Sequence, residues 1–286
     1  MAGNLTRRLA FSAVAIPTAG ALVYLGGWPL AVLLALVGAL GAREVYDFAA
    51  RQGVDPLRRT GMAAAFLFPL ATYWAKGSEV RFAEPALYLG ALWLVALVAL
   101  AALRRGPGGR PLAAVAVTVF GALYAGALPG FAVVLRHPSG VGTSSWAGTA
   151  LLFFPLALTW IGDTAAYAAG TAIGGPKLAP TLSPRKTWAG AVAGFLFTVL
   201  SGLAYAHWIL APLGRPLDAA ATLVLAASIS VAGQVGDVSE SVFKREVGLK
   251  DSSTLIPGHG GVLDRFDSLY FVLPVTAGLF RLFGVA

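Results

Sequence analysis

The sequence contains no cysteine. That absence excludes a disulfide framework, a thiolate metal site and a cysteine nucleophile. Histidine is nearly absent as well, with three in the whole chain. Charge is scarce: Asp, Glu, Lys and Arg make up 12% of the 286 residues, against roughly 25% in a soluble domain. Hydrophobic residues make up 57%, and the mean hydropathy is +0.76. So few charges cannot clothe a water-facing surface, so the bulk solvent is read as lipid. The net charge is +8. In a membrane protein this reflects cytoplasmic loops facing anionic lipid, and no nucleic-acid partner is expected. No internal repeat and no low-complexity linker stands out. Residues 1–286 therefore read as one integral membrane domain, with N-terminal helices over 1–150 and the charged motifs over 151–286.

What the chain has instead is continuous apolar runs. A membrane helix needs about 20 mostly apolar residues. Such runs fall near 9–26, 28–48, 61–75, 86–103, 112–135, 148–170, 188–211, 219–236 and 263–284. The expected fold is all-α, a polytopic bundle of about nine membrane helices; continuous rather than alternating runs exclude a β-barrel. The basic N-terminus superficially resembles a signal peptide, but no soluble domain follows, so it is read as the first span. The third run is short. Gly26-Gly27 predicts a tight turn, and 136–147 a polar loop with a solvated His137. His207, in an apolar span beside Trp208, reads as packing or interfacial.

Basic residues set the orientation. With the N-terminus inside, only Lys76, Arg81, Arg136, Arg215 and Arg281 of the 21 Lys and Arg fall outside. The positive-inside rule favours this arrangement. It places the stretch from Gly233 to Ser268 in the cytoplasm, at the inner membrane of a prokaryotic-type cell.

Ionisable groups at membrane depth cost roughly 2.5–3.5 kcal/mol on insertion scales, and so are functional candidates. Glu44 and Asp47 end the second span, with Arg43 and Arg51 close by, which predicts a local helix-end ion network. Asp163 stands alone in an apolar run and predicts a function. The following loop carries Lys177, Ser183, Arg185, Lys186 and Thr187 among glycines and prolines. Hydroxyls, cations and close backbone approach together suit phosphate binding.

The charges gather most densely in Gly233–Ser268. On a helix, Asp237, Ser241, Lys244 and Arg245 share one face. A carboxylate, a hydroxyl and two cations on one stripe suit a metal ion and the phosphates that it bridges. Gly258, Gly260 and Gly261 around His259 predict a compact turn with backbone N–H groups turned toward a ligand. Asp264 near the next helix start offers a second oxygen ligand. Without cysteine, oxygen-rich Mg²⁺ sites fit better than zinc.

The run Ser241-Val242-Phe243-Lys244-Arg245, then Lys250-Asp251, then Ile256-Pro257-Gly258-His259-Gly260-Gly261, then Asp264-Arg265-Phe266-Asp267 resembles the hallmark of phosphatidate cytidylyltransferases (CDP-diacylglycerol synthases). Asp163, Tyr167, Gly170, Lys177, Leu178 and Ser183-Pro184-Arg185-Lys186-Thr187 look like that family's second block. One departure is Ala189-Gly190, where the family commonly has Glu before the Gly. The N-terminal half matches only in its spans and in a patch around Glu44.

The resemblance implies CMP transfer from CTP to phosphatidate at the bilayer surface, with Mg²⁺ at two divalent or mixed cation sites. It implies Asp237, Asp264 and Asp163 as metal ligands or their support. Lys244, Arg245 and Lys250 would hold phosphates, beside Asp251 in the same motif. Ser241, Lys177, Ser183, Arg185, Lys186, Thr187, Gly260 and Gly261 would contact substrate. His259 would orient groups or shape the turn, and Arg265 would pair with Asp267. A diether lipid acceptor remains open. A transporter using Asp163 and Asp237 as a relay fits less well, since no repeat is seen, and an intact motif argues against a degenerate scaffold. Gly- and Ala-rich helix faces would permit a homodimer.

Overall fold

The structure is a computed structural model that describes residues 2–77, 83–138, 145–180, 182–256, 258 and 260–285, with side chains of 2–12, 77, 83, 84 and 184 left aside. Among the described residues eleven α-helices run in chain order. They are α1 (Ala2–Leu25), α2 (Gly27–Arg51), α3 (Arg58–Gly77), α4 (Ala83–Arg104), α5 (Pro111–Ala122), α6 (Leu128–Arg136), α7 (Trp146–Ala172), α8 (Trp188–Tyr205), α9 (Ala219–Glu246), α10 (Leu263–Phe266) and α11 (Leu269–Leu282). A π-helical turn, Leu123–Ala127, joins α5 to α6, and a second, Ala206–Leu210, extends α8.

Each predicted span coincides with helix over most of its length. Six helical stretches among the described residues are long and apolar enough to cross a bilayer: Gly27–Arg51, Pro85–Arg104, Pro107–Arg136, Trp146–Ala172, Trp188–Leu210 and Ala219–Glu246. The predicted span at 263–284 is broken. A turn at Asp267-Ser268 divides it, leaving 14 residues in α11. At 1.5 Å per residue that helix falls short of a hydrocarbon core of about 30 Å. Gly26 and Gly27 both take left-handed φ values, +61° and +58°, and make the tight turn predicted there.

The chain divides into two compact units. The first comprises Met1–Ala13, Gly27–Val133 and Asp251–Arg265. In it α2 packs on α3, on α5 and on the π-helical turn, and α4 packs on α5. Close approach depends on small residues. A Cβ on Gly126 would lie 2.4 Å from the Ala65 Cα, and one on Gly38 2.9 Å from the Ala65 carbonyl. Tyr46 is wholly buried and donates to the Thr118 carbonyl at 2.8 Å. Thr118 in turn accepts the Leu57 N–H. α4 touches little else: Leu97 and Ala101 pack with Leu57 and Val115, while Leu87, Leu89, Leu92 and Val95 are exposed. Exposed leucines along an apolar helix are the kind of surface that a membrane-crossing helix carries.

The second unit comprises Val14–Gly26, Val134–Lys250 and Phe266–Ala286. Its main contacts are α7 on α8, α8 on α9, and α9 on α11. Gly162, Ala166 and Gly170 of α7 recur every four residues and face Gly190 and Gly194 of α8. Such small-residue stripes let membrane helices close to backbone contact. Between α7 and α8 lies an antiparallel hairpin of β1 (Lys177–Ala179) and β2 (Ser183–Thr187), with Lys177 opposite Thr187. Thr187 ends the hairpin and caps α8, its hydroxyl accepting the Gly190 N–H at 3.1 Å.

Arg136 is fully buried and donates to the carbonyls of Val23 and Tyr24, which end α1. The neighbouring His137 is not the solvated residue expected from its polar loop. It is 8% exposed, carried inward at the end of α6. His207 lies in the second π-helical turn against Trp208, with ring centroids 6.0 Å apart.

Gly126→Ala should therefore destabilise the protein by roughly 1–3 kcal/mol, since backbone must move to admit the methyl. Gly278→Ala in α11, where nothing lies within 4 Å of the new Cβ, should be neutral or stabilising. Thermal unfolding in detergent compares the two; equal midpoints would contradict this packing.

Candidate active site

Acids meet bases in the second unit. A cavity of about 750 Å³ opens among α7, the hairpin, α8 and α9. Asp163 and Asp237 line it together with Lys177, Arg185, Lys186 and Thr187. Gly162, Gly170, Gly190 and Gly194 leave its walls without side chains, and Thr159, Thr198 and Ser230 add hydroxyls deeper along the helices. The residues predicted from the loop and from the lone Asp163 are thus brought together. Ser183 stands at the start of β2 and is half-buried.

Lys186 forms an ion pair with Asp237. Asp163 and Asp267 sit close enough to interact electrostatically with Asp237 and Lys186. Asp267 lies in the turn before α11, where its Oδ1 accepts the Ser268 N–H at 2.6 Å. Burial, and then the charge of Asp237, push its carboxyl up to about 6. Three acids thus share two lysines, since Lys244 as well as Lys186 acts on Asp267.

Ser241, Lys244 and Arg245 follow Asp237 on α9, as the helical spacing predicts. Lys244 pairs with Glu240 at 2.7 Å, and Glu240 is fully buried. Arg245 reaches the Leu249 carbonyl at 2.6 Å. Lys250 ends the Val134–Lys250 segment of this unit and is exposed. Glu240 was missed from the sequence, where it reads as one more acid of a charged helix end. Its signal is the i, i+4 spacing to Lys244.

The rest of the motif belongs to the first unit. Asp251 and Arg265 are exposed, and Arg265 forms no ion pair among the described residues, so the expected Arg265–Asp267 pair is not seen. His259 lies outside the described residues. Asp264 directs Oδ2 at its own loop, accepting the Ser252 N–H, the Ser252 hydroxyl and the Gly261 N–H at 2.8–2.9 Å. Gly260 and Gly261 are held close to carboxylates of this chain. A Cβ on Gly260 would meet Asp264 at 2.5 Å, and one on Gly261 would meet Glu44 at 2.4 Å.

The helix-end ion network expected around Glu44 also takes another form. Asp47 pairs with Arg58 at 2.5 Å, across the α2–α3 connection, rather than with Arg43 or Arg51. Glu44 is 3% exposed and, among the described residues, has no arginine partner in its hydrogen bonds. Its contacts lie some 200 positions further along the chain, where no periodicity could reveal them.

A metal would have to be completed by a ligand. Among the described residues no group of three or more Asp, Glu or His is set to hold one ion. The donors lining the cavity are carboxylates, hydroxyls and an amide, all hard oxygen donors. They fit a cation such as Mg²⁺ that keeps waters and takes one or two carboxylates plus phosphates.

Apolar spans around a cavity that pairs acids with lysine and arginine define a helical membrane protein equipped for anionic ligands. Comparison with known sequences narrows that class: residues 6–283 match the profile of the Cytidylyltransferase family, and the chain belongs to it. It is 30% identical to a protein of Synechocystis named "Phosphatidate cytidylyltransferase", over 95% of this chain and 94% of that one. It is 47% identical to a protein of the same name from Brucella suis over 137 residues, which are 48% of this chain and 47% of the relative. A Haemophilus influenzae protein of that name is 41% identical over 44% of each chain. The matched stretch thus spans about half the length of the Brucella and Haemophilus relatives.

The absence of native cysteine allows a direct check of the cavity. Lys186→Cys with Asp237→Cys should be joined by a short bis-thiol reagent. Lys186→Cys in β2, just before α8, with Trp208→Cys in the π-helical turn beyond its far end, should not. Mass spectrometry of the cross-linked peptides reads the outcome, and bridging of both pairs or of neither would contradict the geometry.

Proposed function

We propose that this chain transfers CMP from CTP to phosphatidate, forming CDP-diacylglycerol and releasing pyrophosphate. The observation that carries this reading is the cavity where Lys177, Arg185 and Lys186 meet Asp163 and Asp237. The printed names of the relatives support the same substrates. We place the site on the cytoplasmic side, where the basic residues concentrate and CTP is found.

The chemistry joins two anions. An oxygen of the phosphatidate phosphate attacks the α-phosphorus of CTP in line. The bond from that phosphorus to the bridging oxygen breaks, and pyrophosphate leaves with the electron pair. An ionised phosphate needs no general base. The protein's task is to position the partners and offset their charge. At an effective dielectric of about 20, two unit charges 4 Å apart repel by about 4 kcal/mol. Lys177, Arg185 and Lys186 supply cations for the phosphates, and Thr187 a hydroxyl. Lys244, Arg245 and Lys250 are further phosphate ligands by resemblance, with Ser241 beside them.

Asp237 and Asp163 would hold Mg²⁺, supported by Asp267; when bound, the ion supplies Lewis-acid polarisation of the phosphoryl oxygens and neutralises charge. Asp264 is a further ligand candidate by resemblance. Lys186, paired with Asp237 in the structure, exchanges that carboxylate for a substrate phosphate.

The test is transfer of label from CTP to added phosphatidate in micelles. Wild-type protein should form labelled CDP-diacylglycerol, and chelation of divalent cations should stop it. Asp237→Asn should lower kcat by about 10²-fold or more, the scale of losing one electrostatic partner of the transition state. Transfer by Asp237→Asn near the wild-type rate would overturn the assignment, and no transfer by wild type would overturn the function.

A further inference from the structure

We propose that Glu44 is a positioning residue, which holds Ser252, Ser253, Val262 and Leu263, and with them the neighbouring motif acids Asp251 and Asp264, through a carboxylate engaged by neutral donors. The functional half of this inference rests on the reading above; the structural half does not.

Glu44 lies in α2, within the first unit, and is 3% exposed. Its Oε1 accepts the Val262 N–H at 2.9 Å and the Ser253 hydroxyl at 2.6 Å. Its Oε2 accepts the Leu263 N–H and the Ser252 hydroxyl, both at 2.9 Å. Four donors thus reach one buried carboxylate, and none of them is a cation. A carboxylate can be stabilised this way when several N–H groups aim at it. Ser252 carries the order further. Its hydroxyl lies 2.9 Å from Asp264 Oδ2 as well, and its backbone N–H donates to that oxygen at 2.8 Å. Gly261 completes the arrangement, since any Cβ there would strike Ser252 Oγ at 2.1 Å and Glu44 at 2.4 Å. The loop is therefore fastened at both ends, by Glu44 at Ser252, Ser253, Val262 and Leu263, and by Asp264 at Ser252 and Gly261.

Chemistry makes the role specific. One peptide N–H points at each oxygen of Glu44. In Glu44→Gln, whichever way the amide turns, its NH₂ faces a backbone N–H. A glutamine of the same shape thus cannot replace the carboxylate. Ser253→Ala, by contrast, removes one neutral donor and leaves both peptide bonds.

The experiment uses full-length protein in nanodiscs. Hydrogen exchange is measured together with turnover per folded molecule, each variant well below its unfolding midpoint. In Glu44→Gln, exchange at Val262 and Leu263 should rise by about tenfold or more, as expected when a buried hydrogen bond is lost, with α7–α9 unchanged. Turnover should fall by about tenfold or more, since a displacement near 1 Å is costly to transfer. Ser253→Ala should stay within about threefold of wild type on both readouts, and Ser252→Ala should fall between the two. Unchanged exchange at 262 and 263, or an equal rise throughout the chain, would overturn the positioning role. So would turnover per folded molecule within twofold of wild type. If Glu44→Gln does not fold, Ser252→Ala decides by the same criteria. Should wild type transfer no label, the functional reading fails and the exchange measurement alone decides whether Glu44 holds the loop.

Discussion

A carboxylate among apolar helices must be matched by something that carries positive charge or donates hydrogen bonds, because the surroundings do neither. This protein meets the constraint in two ways. In the second unit Asp237 is matched by Lys186, and Glu240 by Lys244. In the first unit Glu44 and Asp264 are matched by peptide N–H groups and serine hydroxyls. The two solutions differ in what they permit. An ion pair can be exchanged, since a phosphate competes for the lysine and a metal for the carboxylate. Glu44, with both oxygens engaged by peptide and hydroxyl donors, has nothing comparable to exchange without moving the backbone. The second unit therefore has charges available for trade, and the first has Ser252, Ser253, Gly261, Val262 and Leu263 held to fixed acceptors.

The cavity has a similarly simple origin. α7 and α8 meet through glycines and alanines, so their backbones come close without filling the space beside them. Gly170 and Gly190 approach Thr187, which caps α8 and ends the hairpin. The hairpin is thereby tied to the helix start, and its short strands carry Lys177, Arg185 and Lys186 to the acids of α7 and α9. Cations on a tethered hairpin lose less freedom on meeting a polyphosphate than cations on a loose loop.

Much of this was legible in the sequence, and the reason is scarcity. In a chain so poor in charge, Asp163, Asp237, Lys186 and Lys244 stand out against their neighbours. Helical spacing then relates the α9 residues to one another. Apolar run length located the helices for the same reason. What stayed hidden depends on contacts that no period records. Glu44 meets residues some 200 positions away, and Asp47 chooses Arg58 over nearer arginines because the α2–α3 connection folds back. The break at Asp267-Ser268 is invisible to an apolar count, since two polar residues barely lower the average. His137 was misread because a polar loop suggests solvent, while the end of α6 turns that residue inward.

The glycines of the motif show how a correct pattern can be given an incomplete cause. Glycines around a histidine suggest a cradle for a bound anion. At two of these positions the structure supplies a nearer anion, one belonging to the chain. Gly260 takes φ +82° beside Asp264, and Gly261 leaves room for Ser252 and Glu44 together. The spacing between Ser252 and Asp264 then has a geometric reason. Asp264 must receive N–H groups from both Ser252 and Gly261, while Glu44 receives those of Val262 and Leu263. Inserting or deleting one residue between them would turn at least one of these donors away from its carboxylate. That would leave a buried charge short of a partner, at a cost of roughly 1–3 kcal/mol or more. The register of the motif is thus fixed from inside the protein, before any substrate arrives.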